Sequence, residues 1–90
     1  MTTNPAPATS PLGSEVTTIR ALLLTVEDRD RDSVERLEAV AHLQRHAADV
    51  ERMLVGFARQ VDGASWAAIG AALDMTRQAA HERFRDVVSA

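Results

Sequence analysis

The side chains best equipped to meet a polar partner crowd into one stretch, GASWAAIGAALDMTRQAAHERFRDVV, from Gly63 to Val88. On a helix beginning at Arg77, the residues Arg77, Gln78, His81, Glu82 and Arg85 project away from Ala80, Phe84 and Val87. That row carries two guanidinium forks, a carboxamide that both donates and accepts, an imidazole and a carboxylate. Its chemistry is directional hydrogen bonding rather than bond-making. No nucleophile lies in an elbow or beside a base, and no glycine-rich loop could cradle a phosphate, so neither catalysis nor a cofactor is expected. A second polar group, His42, His46 and Asp49, shares a helical face. Zinc or nickel would need at least one more good ligand, and none is evident, so a solvated face without metal is expected there.

Positioning the first row requires two short helices with a tight break between them. Ser65 is a natural N-cap, its hydroxyl accepting from an otherwise unpaired amide of the first turn. Trp66, Ile69 and Leu73 follow at helical spacing as one buried stripe. Gly70 leaves room for a close crossing. Met75 plugs the turn Asp74–Met75–Thr76, and Thr76 can cap the next helix, which runs to about Val88. The expected helices are 65–73 and 77–88.

That layout is a helix-turn-helix, in which the first helix braces and the second offers its polar face to the DNA major groove. The string I-G-x-x-L-D-x-T-R-Q, from Ile69 to Gln78, resembles the helix-turn-helix of sigma-factor region 4. The longer S-W-A-A-I-G-A-A-L-D-M-T-R-Q-A-A-H-E-R-F, beginning at Ser65, is similar to one found in short actinobacterial DNA-binding proteins. The resemblance covers about a quarter to a third of the chain, and its apolar spacing is moderately specific. Two positions depart from the pattern. Asp74 stands where a glycine is frequent, and Ala68 where an acidic residue would complete a capping box with Ser65.

The resemblance implies that Thr76, Arg77, Gln78, His81, Glu82 and Arg85 face double-stranded DNA. Gln78 could then be bidentate to adenine, Arg77 and Arg85 could read guanine or grip phosphate, and Glu82 could accept from a cytosine amino group. Thr76 sits at the helix N-terminus, where the dipole favours phosphate. His81 could touch a phosphate or base edge, or serve as an exposed spacer. Arg83 occupies a position that such motifs usually fill with an apolar residue; its stem can pack while its head reaches solvent or phosphate.

Ninety residues make one small domain at most. Apolar residues are 46% of the chain but aromatics only 3%, and much of the apolar share is alanine, which favours close helix packing over a sheet. The expected fold is all-α: four helices, a long central one, a C-terminal helix-turn-helix and a disordered N-terminal tail. Without cysteine there is no disulfide or thiolate metal site. No purely apolar run, Ala21–Leu24 included, exceeds four residues, too short to span a bilayer, and the first residues lack the basic start of a secretory signal, so a soluble cytoplasmic protein is expected.

The net charge of −3 argues against strong nucleic-acid binding, and its distribution matters. Residues 15–32 carry three Arg against five acids, and 33–62 carry four against five. Residues 63–90 balance three against three. All ten basic residues are Arg, suited to guanine edges and phosphates, although GC-rich coding produces the same bias.

In chain order, residues 1–13 hold Pro5, Pro7 and Pro11 without apolar period and read as the disordered tail. Residues 14–29 form a first helix with Val16, Ile19, Leu22, Leu23 and Val26 on one face. The charged run 27–32 lacks Gly and Pro, yet Asp32 with Glu35 resembles a capping box, so a break is preferred.

A long helix over 33–61 follows, its residues Val40, Leu43, Ala47, Val50, Leu54, Phe57 and Val61 stepping alternately by three and four as a heptad seam. At 1.5 Å per residue it would be roughly 43 Å long, more than a three-helix domain needs. Either the seam packs wholly within the chain, or part of it, Val40, Leu43, Ala47 and Val50, pairs with a second copy; the homodimer is favoured. Val34, Leu37, Ala41 and Ala48 supply a second apolar flank. Gly56 inside this helix is explained if another helix approaches closely, and Gly63 is a natural left-handed cap. The expected function is sequence-specific transcriptional regulation by a DNA-binding dimer. The alternative is a protein-interaction adaptor or transcription-complex accessory module that engages another transcription protein.

Overall fold

A computed structural model describes residues 10–88. The fold is all-α, with helices α1 (Pro11–Glu27), α2 (Ser33–Gln60), α3 (Trp66–Ala72) and α4 (Arg77–Val88), and no strand among the described residues. The chain divides into two compact units, one ending at Val50 and the other beginning at Glu51; α2 runs through both. No helix among the described residues is long and apolar enough to cross a membrane.

The first helix starts at Pro11, not Ser14, so the expected tail is too long at its C-terminal end; the rest of that tail, residues 1–9, lies outside the described residues. The physical reason is that proline is at home in a first turn, where its fixed φ fits and its missing N–H would be unpaired anyway. Ser10 completes the start, its hydroxyl accepting from the Gly13 amide at 2.9 Å. The helix closes at Glu27, two residues earlier than expected, and Asp28 accepts from the Asp30 amide in the turn that follows. α1 and α2 are therefore separate helices. Asp32 caps α2 by accepting from the Glu35 amide at 2.8 Å, which is half of the capping box.

Within the unit ending at Val50, α1 and the start of α2 form an antiparallel hairpin. Arg36 Nε donates to the Val26 carbonyl at 2.8 Å, and His46 Nδ1 lies 2.6 Å from Glu15 Oε1. Val16, Ile19, Leu22 and Val26 are half-buried, as are Val40, Leu43 and Val50, whereas Leu23 and Ala47 are exposed. Ala39 is the single buried residue between residues 10 and 50.

The unit beginning at Glu51 has a real core. Val55, Ile69, Ala80 and Phe84 are buried together, and Ala58, Ala64, Trp66, Leu73, Met75 and Val87 pack around them. α2 ends at Gln60, where Gly63 takes the left-handed conformation (φ 68°) and the Ala64 amide donates to the Ala58 carbonyl. Gly56 does not mark an unusually close crossing: a methyl built on it would lie 3.6 Å from Val87 Cγ1, an ordinary contact.

Candidate nucleic-acid interface

α3 and α4 are held at a fixed angle by the residues of the turn, 73–76. Ser65 Oγ accepts from the Ala68 amide and Thr76 Oγ1 from the Ala79 amide, both at 3.0 Å, so each short helix has its N-terminus capped. The Met75 amide donates to the Gly70 carbonyl at 2.8 Å, folding the turn back on α3. A Cβ at Gly70 would lie 2.7 Å from the Met75 carbonyl oxygen and 2.9 Å from that of Thr76, so the turn closes only over glycine. Asp74 reverses the chain with φ 59°, a conformation that Asp adopts more readily than most residues. This is the position where the resembled pattern often has glycine.

The buried row of α4 is Ala80 and Phe84, with Val87 half-buried beside them. Thr76, Arg77, Gln78, His81, Glu82 and Arg85 are all exposed. Arg77, Gln78 and His81 line one open depression of about 350 Å³ together with Trp66. His81 meets the Trp66 ring edge-on, centroids 5.3 Å apart, and Arg59 lies over the same ring at 4.9 Å. Arg59 is held there by donating to the Ala64 carbonyl at 2.9 Å. Further along α4, Gln78 Nε2 donates to Glu82 Oε2 at 3.4 Å, which pairs two residues of the row with each other. Arg83 turns away: its Nη2 donates to Glu51 Oε1 at 2.9 Å and its guanidinium rests 4.9 Å from the Phe84 centroid.

Helical spacing puts Trp66 in the core stripe and leaves Arg59 without a role. Trp66 is only half-buried and lies between Arg59, which sits over its ring, and His81, which meets it edge-on. Arg59 lies outside the helix-turn-helix string, so nothing in that string's spacing points to it.

The second polar group also differs. His42 bonds Arg45 Nη2 at 2.8 Å, while His46 and Asp49 are joined by Glu15 from α1, each offering a ligand atom within 4.8 Å of the others. Spacing along α2 alone could not reveal a partner that arrives from another helix. The Glu15–His46 hydrogen bond gives this group a structural role as the cross-link of the hairpin.

No protein-family model, no curated protein and no solved structure matches the chain.

Proposed function

We propose that residues 51–88 form a helix-turn-helix whose α4 reads the DNA major groove, as part of a dimeric, sequence-specific transcriptional regulator. One observation carries this reading: a capped helix buries Ala80 and Phe84 while Arg77, Gln78, His81, Glu82 and Arg85 stand in solvent on its other side. The Trp66–His81 contact fixes the imidazole against the bracing helix, which favours an oriented donor or acceptor over a loose spacer. Arg77 and Arg85 supply the groups suited to guanine edges or phosphates. Arg83, tied to Glu51, is outside the reading surface. A dimer sets two such helices about 34 Å apart, the spacing of successive major grooves, and offsets the small number of cations per copy. A cytoplasmic location and the absence of catalysis belong to the same proposal.

The test is a titration of a duplex selected from a random pool, at two salt concentrations, with wild type and Arg77→Ala. Loss of one base contact should weaken binding by about 1–3 kcal/mol, roughly five- to 150-fold. Absence of binding at low salt by a folded, dimeric protein would overturn the proposal.

A second reading, an adaptor or transcription-complex accessory module, is favoured by one feature of the same unit. Leu54, Phe57 and Val61 are 50%, 47% and 76% exposed. Beside Leu54 lies an apolar depression of about 280 Å³, floored by Val55, Ala58, Ile69 and Leu73. Such a surface suits a partner helix. Retained dimerisation with no duplex binding would favour it.

A further inference from the structure

Between residues 10 and 50 the two-helix hairpin buries only Ala39, while Val34 and Leu37 are 65% and 67% exposed. A pair of helices whose apolar residues are mostly half-buried lacks the second layer that a stable domain requires. Val40, Leu43 and Val50 are already half-buried within the chain, so the half of the seam first suited to a partner is partly occupied. Val34, Leu37, Ala41 and Ala48 are exposed and keep heptad register, with Gln44 between them.

We infer that this flank of α2 is where a second copy of the chain docks, antiparallel, about a twofold axis beside Ala41. The inference deepens the dimer of the proposed function and moves its contact surface from Val40, Leu43, Ala47 and Val50 to Val34, Leu37, Ala41 and Ala48. Charge decides both partner and direction. Glu38 and Arg45 are exposed, each follows a seam residue by one position, and both therefore lie on the same edge of the seam. In an antiparallel twofold pair, like edges meet, so Glu38 of each copy comes beside Arg45 of the other, twice by symmetry. In a parallel pair that edge would meet Ser33, Val40 and Ala47, which carry no charge. The midpoint between positions 38 and 45 falls between Ala41 and His42, next to Ala41, whose small side chain lets the helices approach closely near the axis. The surface is complementary to itself, which a site built for an unrelated protein need not be.

The test is sedimentation of the full chain without DNA, across a micromolar-to-millimolar series, so that its failure is separate from failure of duplex binding. Wild type should dimerise. Leu37→Glu, a change at an exposed position, should be monomeric throughout with unchanged helicity by circular dichroism. Glu38→Arg and Arg45→Glu should each weaken the dimer at least ~10-fold, since each sets like charges together twice. An equimolar mixture of these two variants should recover dimers, because the heterodimer restores both opposite-charge pairs. A monomeric wild type would leave the flank to a different protein and overturn the inference. Dimers of Leu37→Glu as tight as wild type, or a mixture no tighter than its components, would overturn it equally.

Discussion

Gly56 and Gly70 are both helical glycines, and the structure gives them opposite consequences. At Gly56 an added methyl meets only Val87 Cγ1 at 3.6 Å, so Gly56→Ala should add about 1 kcal/mol of stability through helix propensity. At Gly70 the same methyl would strike the Met75 carbonyl oxygen at 2.7 Å, and a backbone atom cannot swing aside as a side chain can. Gly70→Ala should therefore cost about 1–3 kcal/mol. Urea denaturation of the two variants checks the pair, and equal effects would refute the distinction. Arg83 makes a third case. Its ion pair with Glu51 has the Arg side chain 54% exposed, so Arg83→Ala should change stability by less than about 1 kcal/mol. In the duplex titration it should leave the affinity unchanged, unlike Arg77→Ala.

At the scale of elements, the two short helices depend on their caps. α3 has only seven residues, too few to persist alone, and α4 has twelve. Ser65→Ala and Thr76→Ala each leave an amide of a first turn without its acceptor and should each cost about 1 kcal/mol. Thermal melts followed by circular dichroism would show it. For Thr76 the loss should also weaken duplex binding, since α4 starts there and carries the polar row. Phe84 is the anchor of α4: it is 1% exposed and packs with Val55, Ile69 and Ala80. Phe84→Ala should cost about 3–5 kcal/mol and release α4 from its brace. Amide exchange should then accelerate across residues 66–88 first; uniform acceleration from residue 10 onward would contradict the division into two units.

At the scale of the whole molecule, a chain of net charge −3 has few cations to spare for phosphates. With Arg83 engaged by Glu51, the exposed Arg77 and Arg85 and the half-buried Arg59 remain beside the polar row. Two or three neutralised phosphates per copy, hence about four to six per dimer, give a slope of about −4 to −5 in log affinity against log salt. A much steeper slope in the same titration would mean that other Arg residues reach the DNA. On the proposed reading, specificity comes from base edges and from pairing two copies, so the dimer surface and the reading surface are tested separately.

The sequence by itself determined the helices and their caps. Those depend on residues a few positions apart: the helical spacing of Ile69 with Leu73 and of Ala80 with Phe84, the hydroxyls of Ser65 and Thr76, and the left-handed tolerance of Gly63. One such local signal, Pro11, pointed the wrong way because a helix breaker is also a good first residue. Tertiary structure alone decided what meets across helices. Glu15 reaching His46, Arg59 lying on Trp66 and Arg83 turning back to Glu51 join residues from different helices, which no period along the chain encodes. The exposed flank of α2 belongs to the same class. Two apolar stripes are written into that helix in nearly equal terms, and only packing against α1 fixes which of them remains open to solvent.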